Sequence, residues 1–244
     1  MAILGQSTRT PSKSDPSRSD RGGDYKYKKS FYRDSEVAAD YDFHRFGSPA
    51  RQRRNEAKWA AIERGLSYTK KVRTVLDVPC GTGRFTARLA EKGYTVLGSD
   101  ISYEMIEKAS EASTDTDGVF GFVQADVERL PLRGRSADCI VCIRFMLHVR
   151  RSARIRILTE FRRVSRRWVI VDYRHQHTFR YQIYRFRRFM GFEPKRLPNR
   201  VTRSDMEQEF RSAGLSVRKV IPVTRIFSDK WIVLAEAPSP SSIK

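Results

Sequence analysis

The run Val75-Leu-Asp77-Val-Pro79-Cys80-Gly81-Thr82-Gly83-Arg84 joins an apolar strand, a glycine-bearing turn and the start of an amphipathic helix. Gly81 and Gly83 carry no Cβ, so the backbone can turn sharply there and approach a ligand closely. The helix that follows offers its N-terminal amides to whatever sits on the turn. Two further acids recur after the next two apolar runs. Asp100 stands in Gly98-Ser-Asp100-Ile101-Ser, 23 residues after Asp77, and Asp126 in Gln124-Ala-Asp126-Val127. An acid at the end of the second strand can accept both hydroxyls of a ribose.

Outward from this run, short apolar stretches alternate with amphipathic ones, which predicts an α/β fold on a largely parallel sheet. Strands are expected over residues 72–78, 95–99, 120–124, 138–144, 168–173, 215–220 and 230–235. Helices are expected over 40–65, 84–92, 103–112, 152–166 and 204–213, the last ending at Gly214. Ser152 suits the N-cap of its helix, with Ile155, Leu158 and Phe161 on one face. Residues 1–29 are basic and nearly free of apolar side chains, so a disordered tail is expected. Residues 30–237 form the domain, 174–203 are an addition on its substrate side, and 238–244 are a second tail.

Two ligand chemistries compete for the turn. A dinucleotide fingerprint needs a third glycine for close helix–strand packing, and Gly81-Thr-Gly83-Arg-Phe-Thr86 has none. A carboxylate four residues before the first glycine would repel a pyrophosphate but suits a ligand with an ammonium group. S-adenosyl-L-methionine, which combines an ammonium, a sulfonium, a ribose and an adenine, fits that requirement.

These three ordered motifs resemble the class I S-adenosylmethionine-dependent methyltransferases, in particular the type 11 branch that acts on small molecules and lipids. The resemblance covers roughly residues 40–175. It implies a Rossmann-like fold with a seven-stranded, mostly parallel sheet and helices on both faces. It also implies roles. Asp77 and the turn Pro79, Cys80, Gly81, Thr82 and Gly83 would face the methionine part of the cofactor. Asp100 would hold the ribose with Ile101 beside the adenine, and Asp126 and Val127 would contact the adenine. Arg144 would line the cleft, and Tyr41 matches an aromatic that covers the cofactor. Pro79 departs from the family's commonest pattern, which has glycine there; with Gly81 and Gly83 in place the turn is expected to form.

The chain has 244 residues with 48 Lys+Arg against 28 Asp+Glu, a formal charge of +20. Such an excess points to an anionic partner: nucleic acid, an anionic membrane surface or a phosphorylated substrate. The charge is uneven. Residues 72–143 hold eight Lys/Arg and eleven acids, whereas residues 144–203 hold eighteen and three. Three cysteines give no disulfide scaffold. No apolar run approaches the ~20 residues of a membrane span, and no apolar leader opens the chain. The expected location is the cytoplasm, peripherally at the inner membrane surface.

Other residues carry competing readings. Cys139 and Cys142 form a C-x-x-C, but residues three apart on a strand point to opposite faces, so core cysteines and no metal site are expected. His148, after the fourth strand, is the candidate general base, against a structural or positioning role. Asp172, Tyr173, His175 and His177 follow the fifth strand and are candidates for touching substrate. Arg162, Arg163, Arg166 and Arg167 suit a helix C-terminus. Over 179–190, Phe179, Ile183, Phe186 and Met190 share one helical face among arginines. That pattern fits either a membrane-surface helix or a cap over the active site. The function expected is methyl transfer from S-adenosyl-L-methionine to an amphipathic or anionic small molecule, lipid or glycan precursor. The alternatives are an RNA methyltransferase, with salt-sensitive binding, and a non-catalytic scaffold that keeps the fold. The oligomeric state is not legible.

Overall fold

In a computed structural model of the chain, residues 48–176, 178–192, 200–224 and 228–238 are described. Tyr41, His177, the basic N-terminal tail and residues 239–244 lie outside them. The elements run α1 (Pro49–Ser67), β1 (Thr74–Asp77), α2 (Arg84–Glu91), β2 (Thr95–Asp100), α3 (Tyr103–Glu111), β3 (Val119–Gln124) and β4 (Ala137–Cys142). A short 3₁₀ turn (Met146–His148) follows. Then come α4 (Arg151–Val164), β5 (Ser165–Arg174), α5 (Phe179–Phe189), α6 (Arg203–Ser212), β6 (Ser216–Pro222) and β7 (Lys230–Glu236).

The seven strands lie in the order β3-β2-β1-β4-β5-β7-β6. The first five pair in parallel, and β7 is antiparallel to both β5 and β6. The expected mostly parallel seven-stranded sheet is therefore present. From β1 the chain winds one way through β2 and β3, then returns to β4 on the other side of β1. That reversal opens a crevice beyond the C-terminal ends of β1 and β4, where open α/β sheets take ligands.

Alternation along the strands feeds two cores. Cys139, Val141 and Ile143 pack with Val75, Ile170 and Leu234 against α1 and α2, where Trp59, Ile62, Phe85 and Leu89 are buried. Ile140 and Cys142 pack with Leu76, Val169 and Val171 against α4 and α6, through Ile157, Leu158, Phe161, Met206 and Phe210. The two cysteines thus belong to opposite faces of β4, and both thiols are free and buried.

Several boundaries differ from the sequence reading. α4 begins at Arg151 after an extended Arg150, so Ser152 is not its cap. Its buried face is Ala153, Arg154, Ile157, Leu158, Phe161 and Val164, while Ile155 is only half-buried. The helix stops at Val164 because Ser165 turns the chain straight into β5. The Ser165 hydroxyl accepts the Arg167 amide at 3.1 Å and donates to the Trp168 carbonyl at 2.9 Å, a local serine bond that competes with helix continuation. Arg166 and Arg167 consequently lie on a strand rather than at a helix end. β4 ends at Cys142, two residues short of the expected Arg144.

Candidate cofactor and active site

The turn after β1 is built by backbone bonds. The Cys80 amide donates to the Ser99 carbonyl at 2.8 Å, and the Gly83 amide to the Cys80 carbonyl at 3.2 Å. Gly81 and Gly83 adopt φ of 56° and 76°, in the left-handed region that glycine alone enters freely. A Cβ on Gly83 would stand 3.0 Å from the Ala109 Cβ, so α3 packs directly on the turn. A Cβ on Gly81 would meet nothing within 4 Å: this stretch of backbone is bare. Pro79 and Thr82 flank it half-buried, Pro79 following a cis peptide bond, and Cys80 is buried beneath.

Two carboxylates stand at the ends of β1 and β2. Asp77 is 1% exposed and accepts the Thr86 hydroxyl of α2 at 2.7 Å. Burial pushes its carboxyl up to about 7, with the Thr86 bond opposing and the nearby Asp100 charge adding. Asp100 accepts the Gly81 amide at 2.9 Å on one oxygen and the Ser102 amide at 3.1 Å on the other. Burial raises its ionisation too, against those amide bonds. Ser102 then caps α3 by accepting the Met105 amide at 3.2 Å. Asp100 therefore ties the glycine turn to the next helix, and Thr86 orients Asp77. The sequence reading missed Thr86; its signal was a hydroxyl nine residues after Asp77, on the first turn of the next helix.

The remaining cofactor candidates follow in order. Ile101 is half-buried, and its carbonyl accepts the Gln124 side-chain amide at 3.1 Å. Asp126 lies two residues past β3, half-buried, with one oxygen accepting the Glu128 amide at 3.0 Å. Val127 is core. A bare glycine turn, a ribose-ready carboxylate and a buried acid suited to an ammonium all meet at the C-terminal edge. This donor set fits S-adenosyl-L-methionine.

On the other side of the crevice, Arg144 adopts φ 67°, strained for a residue with a side chain. Its amide donates to Asp172 Oδ1 at 2.6 Å, and Lys58 of α1 donates to Asp172 Oδ2 at 2.7 Å. Both charged side chains are buried. Burial lowers the Lys58 ammonium to about 8, while Asp172 holds it up. Asp172 thus fixes the turn after β4, which corrects its expected role in touching substrate. Lys58 was not foreseen, because a lone lysine on a helix gives no sign of a partner 114 residues away.

Tyr173 and His175 are corrected likewise. The Tyr173 hydroxyl donates to Glu209 at 2.9 Å, and Arg154 grips the same carboxylate with two bonds of 2.8 and 2.5 Å. That buried triad ties α4, β5 and α6. His175 is 6% exposed and stacks on Trp231 with centroids 4.3 Å apart. His148 sits half-buried on the 3₁₀ turn beyond β4, on the crevice edge. On α5 the expected apolar face is not turned inward: Ile183, Phe186 and Met190 are exposed.

Residues 75–167 match the model of a methyltransferase domain. Over that stretch the chain is similar to methyltransferase domains. A malonyl-[acyl-carrier protein] O-methyltransferase of Hamiltonella defensa is 36% identical over 92 residues, 38% of this chain and 33% of that protein. A ubiquinone biosynthesis O-methyltransferase of Coxiella burnetii is 32% identical over 81 residues, 33% of this chain and 35% of that one. The chain thus spans about a third of the length of the curated relatives it matches. The methyltransferase fold extends further than the sequence match. The crystal structure of magnesium protoporphyrin IX methyltransferase from Synechocystis, with bound SAH, superposes with a TM-score of 0.67. It covers 88% of this chain and 100% of that one at 15% identity.

Proposed function

We propose that this protein is an S-adenosyl-L-methionine-dependent methyltransferase acting on a small amphipathic or anionic acceptor. The observation that carries the reading is the bare Gly81–Gly83 turn flanked by the buried carboxylates Asp77 and Asp100 at consecutive strand ends. The two curated relatives named above are methyltransferases by name, one for an acyl-carrier-bound malonyl group and one in ubiquinone biosynthesis. The ubiquinone relative supports a small amphipathic acceptor, and the malonyl relative an anionic group.

When bound, the cofactor supplies an electrophilic methyl carbon on a sulfonium. The chain's residues hold and orient it. Asp77, kept in place by Thr86, offers its free lone pairs to the ammonium, and a cation there favours the ionised carboxylate that burial disfavours. Asp100 keeps acceptor capacity for the ribose hydroxyls after its two amide bonds. Ile101, Asp126 and Val127 bound the adenine end, and Arg144 borders the methyl-transfer end. Orientation of the acceptor in line with the methyl group comes first. We assign to His148 the removal of a proton from an acceptor that must lose one.

Calorimetric titration of S-adenosyl-L-methionine into wild type and Asp100→Ala tests the reading. Micromolar binding in wild type, weakened at least tenfold in the variant, is expected. Absence of binding in wild type overturns it in favour of a non-catalytic scaffold. Methyl-label transfer to the lipid and small-molecule fraction of a cell extract, rather than to RNA, is the second expectation.

A further inference from the structure

The helix α5 is built inside out relative to the other helices of the domain. No described side chain on it is buried. Its partly covered side carries Tyr181 and Tyr184, whose rings stack with centroids 5.9 Å apart. Arg200 holds this side. Its guanidinium lies 5.6 Å from the Tyr181 ring and donates to the Thr178 hydroxyl at 3.2 Å and the His175 carbonyl at 2.8 Å. At the repeat of about 3.6 residues per turn, Ile183, Phe186 and Met190 align on the opposite side, with Phe189 next to them. They are 44%, 64%, 56% and 87% exposed, and Phe192 just beyond the helix is 59% exposed. An amphipathic surface helix normally turns such a stripe to the core. Here the tyrosines take the inward side and the stripe faces out.

The charges around the stripe say what covers it. Arg185 and Arg187 flank it on either side, and Arg188 is exposed on the tyrosine side of the helix. Among the described residues no acid pairs with any of the three. Residues 178–192 contain no Asp or Glu at all. A second copy laid stripe to stripe would bring these arginines together without counter-charges. Nucleic acid suits the arginines and the phenylalanine rings, but it offers no apolar medium to cover Ile183 and Met190. An anionic bilayer satisfies both features, with the stripe in the acyl boundary and the guanidinium groups among the lipid phosphates. α5 starts five residues after the end of β5. That is the edge of the sheet that carries Asp77 and Gly81.

We propose that α5, through its exposed Ile183–Phe186–Phe189–Met190 stripe and flanking arginines, docks the protein on the surface of an anionic membrane. The docking requires no methyl transfer and stands independently of the reaction assigned above.

Cosedimentation of the full chain with phosphatidylcholine vesicles, with and without phosphatidylglycerol, tests it. Wild type is expected to bind the anionic vesicles at least tenfold more tightly than the neutral ones. Phe186→Ser/Phe189→Ser keeps every charge and removes only exposed rings. It is expected to lose at least tenfold, with an unchanged thermal midpoint. Arg185→Gln/Arg187→Gln/Arg188→Gln is expected to lose the preference for phosphatidylglycerol. In Phe186→Trp, indole emission is expected to shift to the blue on anionic vesicles, a gain of signal that misfolding does not mimic. Retention of wild-type vesicle binding by Phe186→Ser/Phe189→Ser overturns the proposal, because binding then rests on charge elsewhere. It is equally overturned if wild type ignores anionic vesicles but binds an RNA oligonucleotide. A dimer in solution that this double substitution dissociates overturns it as well.

Discussion

The two halves of the sheet treat their buried carboxylates differently. In the half formed by β4, β5, β7 and β6, the buried acids are completed by cations of the same chain. Glu209 is held by Arg154, and Asp172 by Lys58. At the opposite edge of the sheet, the more exposed Asp138 and Glu236 meet Arg166, Arg167 and Arg218. Asp138 is lowered to about 2, because amide, hydroxyl and Arg166 bonds outweigh its partial burial. In the half formed by β1 and β2, Asp77 and Asp100 receive only a hydroxyl and backbone amides, and burial raises both. A carboxylate completed by its own chain is a strut. One left at raised ionisation at a strand's C-terminal end is a candidate for completion by a ligand.

The contrast can be broken most severely at the strut. Glu209→Gln leaves the Arg154 guanidinium buried without its counter-charge, and should cost about 3–5 kcal/mol in urea denaturation. At Asp77 the expected effect is one of pH. Its carboxyl ionises near 3.8 when unfolded and at about 7 in the folded state. Between those values the folded state holds the extra proton. The Asp77 contribution to the stability of the ligand-free protein should therefore be greatest below the unfolded value and fall by about 1 kcal/mol per pH unit as pH rises towards the folded one. Asp77→Asn should remove that slope in thermal melts and abolish cofactor binding. Wild-type melts with no such slope would erase the distinction between the halves. Thr86→Val removes the one hydroxyl bond to Asp77, with an expected cost of about 1–3 kcal/mol by denaturation and a further rise in the Asp77 ionisation. Smallest of all is Arg167→Ala. It breaks a pair whose arginine side chain is 53% exposed and should move stability by no more than about 1 kcal/mol.

What the sequence disclosed follows the range of the interactions. The glycine turn, Asp77, Asp100 and the alternation of Cys139 and Cys142 were legible because their signals are local: a strand, a turn or a helix start within a few residues. The Ser165 turn was missed because one hydroxyl decided where helix became strand. The fates of Asp172, Tyr173 and His175 were missed for a different reason. Their positions after β5 suggested the crevice, but their partners Lys58, Glu209 and Trp231 lie 114, 36 and 56 residues away. Strand ends say where a side chain starts, not which distant charge claims it. On α5 the period showed the stripe, yet only the packing of Tyr181 and Tyr184 showed which side faced out.

The carboxylate of Asp172 has a consequence for where the working unit ends. Residues 75–167, the stretch that matches the methyltransferase-domain model, contain the glycine turn, Asp77, Asp100, Asp126, Arg144 and His148. They contain neither Asp172 nor Lys58. A chain trimmed to that stretch would keep the signature and lose the clasp on the left-handed Arg144, one jaw of the crevice. The matched stretch and the clasp have different borders in this protein, and the second reaches into both the first described helix and the fifth strand.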